Sequence, residues 1–157
     1  MAKYVLGIDQ STQGTKAILF DGEGALLARA DRPHRQIVND RGWVEHDPEE
    51  IYRNVVATVA DVVARAGVDK GDIACVGISN QRETSLVWNA DGTPCHNAIV
   101  WQDARATDVC ERVAAAGMEE AVRERSGIRL SPYFPAAKLA WICEHVDGVA
   151  RGLRAGK

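Results

Sequence analysis

Three polar clusters in this sequence could carry chemistry, and each of them follows a short apolar run. The first cluster is the segment Asp9–Lys16, which lies between the apolar runs that end at Ile8 and begin at Ala17. Its hydroxyls, its ammonium group and the backbone N–H groups beside Gly14 are donors suited to a phosphate. The Asp9 carboxylate suits Mg²⁺, directly or through water. The segment predicts a phosphate-binding turn, and a plain β-hairpin with a hydrophilic turn is the alternative at this point.

The second and third clusters are Asn80–Thr84 and Trp101–Arg105. Arg82 beside Glu83 suits a polyhydroxy substrate, because a guanidinium donates to hydroxyl oxygens and a carboxylate accepts from hydroxyl protons. Trp101 can offer its ring face to a carbon chain. Because ligands bind beyond the strand ends in open α/β sheets, we expect all three clusters to line one site.

The elements that position these clusters are predicted from hydrophobic periodicity and turn signals. Three antiparallel strands in a meander are predicted at the start of the chain, followed by a polar, irregular loop over residues 32–46. A helix is predicted to start at Asp47 and Pro48 and to stop at Gly67. The apolar run over residues 72–79 indicates a fully buried strand, which would place Cys75 in the core.

The rest of the chain is predicted to contain two more strands and then helices. The strands cover residues 85–88 and 97–101, and the helices cover residues 107–116, 118–125 and 136–145, before a tail over residues 148–157. This order predicts an α/β fold. The residues expected in the core are Trp88 and Trp141, and those expected at the surface or as caps are His34, His46, His96 and His145.

Size and charge narrow the classes of function. The chain has 157 residues, 46% hydrophobic and 26% charged, with a formal net charge of −3. This composition is typical of a globular domain and gives no reason to expect nucleic acid as a partner. No apolar window approaches a membrane span of about 20 residues, so a membrane partner is not expected. Four cysteines without a CxxC pair predict free thiols and a cytoplasmic location. The composition is compatible with both a monomer and a homo-oligomer.

The sequence resembles the FGGY carbohydrate kinases, and within them most closely the glycerol kinases. The matching stretches run from residue 7 to residue 145 and are GIDQSTQGTKAILFD, GWVEHDPEEI, GISNQRETSLVW, NAIVWQ and YFPAAKLAWICEH. The last stretch also fits a family signature that contains Lys138 and Trp141.

The resemblance implies an actin-like, ribonuclease-H-like fold, with a mixed sheet that contains the antiparallel meander and helices on both faces. Residues 1–157 would be the N-terminal domain, incomplete at its end, of a two-domain kinase that transfers the γ-phosphoryl of ATP, with Mg²⁺, to a primary hydroxyl. By resemblance, Asp9 would lie near Mg²⁺. The residues that would approach the phosphates are Thr12, Gln13, Gly14, Thr15 and Lys16. The residues that would hold the polyol or sugar are Arg82, Glu83, Trp101, Asp103 and Tyr133.

Two departures from the glycerol kinase pattern leave alternatives open. Lys16 stands where glycerol kinases usually have Arg, which keeps the charge but removes the bidentate fork. Asp103 makes the pattern W-x-D-x-R, seen in several sugar kinases of the family, so a pentulose or other polyol kinase is an alternative. Arg105 is either a surface cation or a partner of Asp103.

The shortness of the chain adds a further alternative. The catalytic base of the family is an Asp in the second domain, so we expect no catalytic residue here and no activity of the isolated chain. A non-catalytic binding fragment is therefore the other interpretation.

Overall fold

The structure, a computed structural model, describes residues 3–156 and divides into two compact units. Met1, Ala2 and Lys157, which the predicted domain 1–157 includes, lie outside the described residues. Unit 1 contains the described residues up to Gln36 together with Asp47–Gln81. Unit 2 contains Ile37–His46 and the described residues from Arg82 onward.

Strands and helices are numbered in chain order, and their order confirms the predicted α/β class. The strands are β1 (Tyr4–Gln10), β2 (Gly14–Phe20), β3 (Leu26–Pro33), β4 (Ile37–Val38), β5 (Val44–His46), β6 (Ile73–Asn80) and β7 (Ala98–Ile99). The helices are α1 (Pro48–Ala66), α2 (Thr107–Ala115), α3 (Glu119–Ser126), α4 (Pro135–His145) and α5 (Val149–Arg154). Among residues 3–156, no helix combines the length and the apolar character needed to cross a membrane.

Unit 1 is built on a mixed sheet with the strand order β3-β2-β1-β6. The strands β1, β2 and β3 are antiparallel neighbours, which confirms the predicted meander, whereas β6 runs parallel to β1. Helix α1 packs on the sheet over a core that Val62 shares with alternate residues of β1, β2 and β3. In the described part of unit 1, helix α1 covers one face of this mixed sheet.

Helix α1 begins and ends where its local sequence predicts. The Asp47 side chain accepts a hydrogen bond from the Glu49 backbone N–H at 2.9 Å, and Pro48 occupies the first turn. Gly67 follows the helix with φ 64°, a left-handed conformation that glycine adopts without a Cβ penalty. These local signals confirm the predicted helix.

The prediction that the strand β6 is fully buried is wrong. The register places Val76 beside Leu6 and Ile78 beside Ile8, on the face that carries the core. Helix α1 packs mainly on β2 and β3, however, so β6 lies beyond its cover, and Val76 and Ile78 are 53% and 68% exposed. The four cysteines are free thiols as predicted, but Cys75 on β6 is exposed rather than in the core.

Unit 2 corrects the prediction of an irregular loop over residues 32–46. Strand β3 continues to Pro33, and two short strands, β4 and β5, form a second sheet with β7 in the order β4-β5-β7. Strands of two or three residues carry no readable hydrophobic alternation, so periodicity does not find them. The two strands predicted over residues 85–88 and 97–101 are reduced to β7 and single bridges, one of which joins Ser85 to Ile99.

Helices α2, α4 and α5 contribute the core of unit 2, together with Ile99 of β7. The three predicted helices appear within one residue of their predicted bounds, and α5 forms in the predicted tail. Trp141 lies in the core as predicted. Trp88 does not, because it is exposed at the surface of unit 2.

All four histidines are predicted to be surface or capping residues, but two of them are buried. His34 in unit 1 and His46 in unit 2 are buried. His96 is half-buried, and His145 stacks on the Trp141 indole with ring centroids 4.4 Å apart.

Candidate functional site

Asp9 and Lys16 face each other across the β1–β2 hairpin of unit 1. The strand register pairs them directly, and the Lys16 Nζ lies 3.0 Å from Asp9 Oδ2. The two side chains are 44% and 37% exposed, respectively, so this ion pair contributes little to stability. Both charged groups therefore remain accessible to a ligand at the end of the hairpin.

The turn between these strands is held by short backbone and side-chain contacts. The Ser11 backbone N–H and Oγ both donate to the Gly14 carbonyl, at 2.9 and 3.0 Å, which leaves Thr12 and Gln13 at the tip. A ring nitrogen of His34 lies 2.9 Å from the Thr12 carbonyl oxygen, and the His34 backbone N–H donates to Gln13 at 3.3 Å. His34 therefore anchors the tip, a role that sequence reasoning missed because it ended β3 too early.

Gly14 is required by close packing between strands rather than by an unusual backbone angle. A Cβ built on Gly14 would lie 2.6 Å from the Arg32 carbonyl oxygen and 3.1 Å from the Pro33 Cα, both on β3. A cavity of about 250 Å³ lies beside Gly14 and is lined by Lys16, Arg32 and Pro33 among others. The glycine thus lets the two strands approach next to a recess that is also lined by the carboxylate of Asp31.

The exposed groups of the hairpin fit a hydrated metal–phosphate group. Mg²⁺ keeps several waters and is usually bound by one or two carboxylates plus substrate phosphates, so Asp9 alone is an adequate protein ligand. Among residues 3–156 no group of three or more His, Cys, Asp or Glu side chains is placed to hold a metal ion. A metal ion at Asp9 would therefore take its other ligands from water and phosphate. The Thr15 hydroxyl fits less well, because its side chain shares the buried face of β2 with Ala17 and Leu19.

In unit 2 the segment after Arg82 lies against the segment around Trp101. The Ser85 and Ile99 backbones exchange two hydrogen bonds of 2.9 Å, and the Trp101 backbone N–H donates to Thr84 Oγ1 at 3.3 Å. These bonds bring the second and third clusters together. The expectation that Asp9–Lys16 belongs to the same site stays a prediction.

Glu83 adopts a backbone conformation that side chains rarely occupy. Its φ is 64°, and among residues 3–156 no other non-glycine residue has a positive φ. Such strain costs about 1–3 kcal/mol and occurs preferentially at functional sites. The conformation turns the chain between the exposed Arg82 and the half-buried Thr84.

Tyr133 joins the same group through its ring. The Trp101 and Tyr133 ring centroids lie 5.7 Å apart at an interplanar angle of 64°, and Phe134 packs on Tyr133 at 5.1 Å. Edge-to-face contacts of this kind hold both rings in defined orientations. Tyr133 is 41% exposed, so its ring is also open to a ligand. Two of the five predicted substrate residues, Trp101 and Tyr133, are therefore in ring contact. Arg82 and Glu83 join the same group through the chain, because they directly precede Thr84, which binds the Trp101 backbone.

Asp103, the fifth predicted substrate residue, is buried. Its two carboxylate oxygens accept hydrogen bonds from the Arg105 side chain at 2.9 and 2.8 Å and from the Val44 backbone N–H at 2.6 Å. Burial alone would raise the pKa of Asp103, but the hydrogen bonds from Arg105 and Val44 lower it overall. The arrangement favours a supporting role for Asp103 over direct contact with substrate.

Arg105 is the partner of Asp103 rather than a surface cation. Its side chain is fully buried, and its guanidinium lies over the Trp43 and Trp141 rings, 4.3 and 5.0 Å from their centroids. A third interaction joins it to Glu45 at 2.7 Å. Burial would lower the pKa of Arg105, but its bonds to the two carboxylates raise it overall. Sequence reasoning missed Glu45, although it lies inside the family stretch GWVEHDP.

Comparisons with known proteins agree on one family. The chain is 46% identical over 156 residues to a glycerol kinase of Stenotrophomonas maltophilia, which covers 99% of this chain and 31% of that protein. It is 40% identical over 158 residues to a glycerol kinase of Petrotoga mobilis, covering 100% of this chain and 32% of that protein. The chain therefore spans about a third of the length of the curated relatives it matches.

Solved structures give the same result. The crystal structure of Plasmodium falciparum glycerol kinase with ADP matches with a TM-score of 0.90 at 31% identity, over 98% of this chain and 31% of that one. A ligand-bound xylulose kinase from Lactobacillus acidophilus matches with a TM-score of 0.82 at 26% identity, over 91% of this chain and 29% of that one. The model of the N-terminal domain of the FGGY family of carbohydrate kinases matches residues 4–155. On these grounds the chain belongs to the FGGY family of carbohydrate kinases.

Proposed function

We propose that this chain is the N-terminal part of an ATP-dependent polyol kinase whose substrate is glycerol. The observation that carries the proposal is the connected group of Arg82, Glu83, Trp101 and Tyr133 in unit 2. Its members, which are exposed or half-buried, combine a cation, a carboxylate acceptor and two aromatic rings, which is the chemistry that binds a short chain of hydroxyl groups. The curated relatives and the best-fitting solved structure described above are glycerol kinases, which supports the same substrate.

Within this proposal, Arg82 and Glu83 orient the alcohol. The guanidinium donates hydrogen bonds to hydroxyl oxygens, the carboxylate accepts hydrogen bonds from hydroxyl O–H groups, and the rings of Trp101 and Tyr133 pack against the carbon chain. Holding a hydroxyl in a fixed orientation lowers the entropy cost of the transfer step. We assign no catalytic base to this chain, so the group that takes the hydroxyl proton is expected in the second domain.

The hairpin Asp9–Lys16 is proposed to bind the nucleotide phosphates. Lys16 and the Thr12–Gln13 tip offer positive charge and donors, and the Asp9 carboxylate would hold Mg²⁺ through water or directly. ATP supplies the phosphoryl group when it is bound, and Mg²⁺ offsets negative charge on the phosphate oxygens. The contribution of this chain is to position those phosphates, which is the main requirement of phosphoryl transfer.

The structure removes the main argument for the alternative substrate, a longer polyol or a sugar. That alternative depends on Asp103 as an extra acceptor for another hydroxyl, and both Asp103 oxygens are already engaged inside the core of unit 2. Glycerol is therefore the preferred substrate of this proposal.

The experiment joins this chain to the remaining two thirds of the Stenotrophomonas maltophilia glycerol kinase and measures ATP-dependent phosphorylation of glycerol, erythritol, xylulose and gluconate. We expect turnover with glycerol, and none from the 157-residue chain alone. The variant Arg82→Ala should lower kcat/KM for glycerol roughly 30- to 900-fold, because a charged hydrogen-bond donor is lost. This decrease corresponds to a loss of about 2–4 kcal/mol of transition-state stabilisation.

The matched control is Arg123→Ala, which removes an exposed arginine paired with Glu120 on α3 and should leave kcat/KM unchanged. A hybrid that phosphorylates none of the four substrates, or an Arg82→Ala variant with normal kcat/KM for glycerol, would contradict the proposal.

A further inference from the structure

Lys138 is a buried cation in a position that elementary electrostatics does not favour. Its side chain is 0% exposed, and it lies in the first turn of α4, near the positive end of the helix macrodipole. Burial lowers the pKa of Lys138, an effect that the negative charge of Asp103 only partly opposes. An apolar side chain of similar volume would avoid the cost of burying a charge. Packing alone therefore does not explain a lysine here.

The ammonium group of Lys138 holds the turn that precedes α4. Its Nζ donates to the Pro132 and Tyr133 carbonyl oxygens, at 2.5 and 2.7 Å. The residue at the helix start, Phe134, makes no side-chain capping bond. Lys138 is thus the side chain that ties this turn to the helix, and the turn carries the Tyr133 ring that packs on Trp101.

We propose that Lys138 is a positioning residue for polyol binding, because its ammonium group fixes the turn that carries Tyr133. This inference rests on the proposed function, in which Tyr133 contacts the polyol. It predicts that loss of the ammonium group weakens the binding of polyol without weakening the fold.

The test compares Lys138→Met with the unchanged hybrid kinase described above. We expect KM for glycerol to rise at least tenfold, KM for ATP to stay within twofold, and the urea midpoint of unfolding to stay the same or to rise. Lys138→Arg keeps the charge and two donors, so it should restore part of the affinity for glycerol. The control Lys70→Met removes the same group from an exposed position and should change none of these values.

The outcomes separate this inference from the proposed function. A hybrid without activity on any of the four substrates counts against the proposed function alone. Lys138 is then judged in the 157-residue chain, where the nuclear Overhauser contact between the Tyr133 and Trp101 rings should vanish in Lys138→Met and persist in Lys70→Met. Two results would overturn the assignment of Lys138 as a positioning residue. One is an active Lys138→Met hybrid with a normal KM for glycerol, and the other is a Tyr133–Trp101 ring contact that survives the substitution. A lower unfolding midpoint with unchanged KM would assign Lys138 to the fold only.

Discussion

Arg105 shows how one buried side chain can organise several segments of unit 2. It binds Asp103 two residues away and Glu45 on β5, and its guanidinium lies over the Trp43 and Trp141 rings. Asp103 in turn accepts the Val44 backbone N–H. The cluster thereby fixes the backbone just after Trp101, although none of its charged groups is proposed to contact substrate.

Removal of the Asp103 charge should therefore destabilise the protein. Asp103→Asn leaves the buried Arg105 with Glu45 as its remaining charged partner among the described residues, and breaking a buried pair in this way costs about 3–5 kcal/mol. We expect a loss of that size in the free energy of unfolding at neutral pH, measured by urea titration. The control Asp108→Asn removes the exposed partner of Arg112 on α2 and should cost much less.

The same variant has a defined pH dependence. The pKa of Asp103 is lowered in the folded protein, so its ionised form contributes stability above the ordinary carboxyl pKa of about 4. That contribution is lost as the pH falls through the lower, folded pKa. The stability difference between the wild type and Asp103→Asn should stay constant near neutrality and shrink below about pH 4. A difference that grows on acidification would contradict this assignment.

At the scale of elements, the contact between β2 and β3 depends on Gly14. A Cβ at this position would lie 2.6 Å from the Arg32 carbonyl oxygen, so there is no room for a methyl group. Gly14→Ala should therefore lower the free energy of unfolding by about 1–3 kcal/mol, because the β3 backbone would have to move.

The matched control for Gly14→Ala is Gly77→Ala on β6. A Cβ at Gly77 meets nothing within 4 Å, and alanine is favoured over glycine in a strand, so this variant should be neutral or slightly stabilising. Equal urea midpoints for the two variants would show that β3 accommodates a methyl group at position 14, which would contradict the prediction.

At the scale of the whole molecule, the most exposed apolar element is the strand β6. Its outer edge pairs with no strand in the described residues 3–156, and it contains no charged residue or proline to discourage pairing. The 157-residue chain should therefore associate at high concentration, through this edge and the exposed Val76 and Ile78 side chains.

The substitution Ile78→Lys should reduce this association, because an edge lysine opposes strand pairing. Sedimentation velocity over a range of concentrations would measure it. The control Val56→Lys changes an equally apolar, exposed residue on α1 and should leave association unchanged. Equal effects of the two lysines would point to general surface hydrophobicity rather than to the sheet edge.

The sequence alone was sufficient for features that depend on neighbours along the chain. The Asp47 cap, the Gly67 stop and the β1–β2 turn involve residues within a few positions of one another, so their types and spacing predict them. The motifs around Arg82, Trp101 and Tyr133 likewise led to the family that the comparisons show. The site residues themselves remain predictions that the contacts in unit 2 support.

Only the tertiary structure decided which residues are buried and what they contact. The exposure of β6 depends on where α1 lies, and the burial of Asp103 depends on Val44, 59 residues earlier in the chain. Burial and long-range hydrogen bonding are set by contacts between distant segments. For that reason hydrophobic runs and local spacing could not reveal the exposed Cys75, the core position of Arg105 or the bonds of Lys138 to the turn that carries Tyr133.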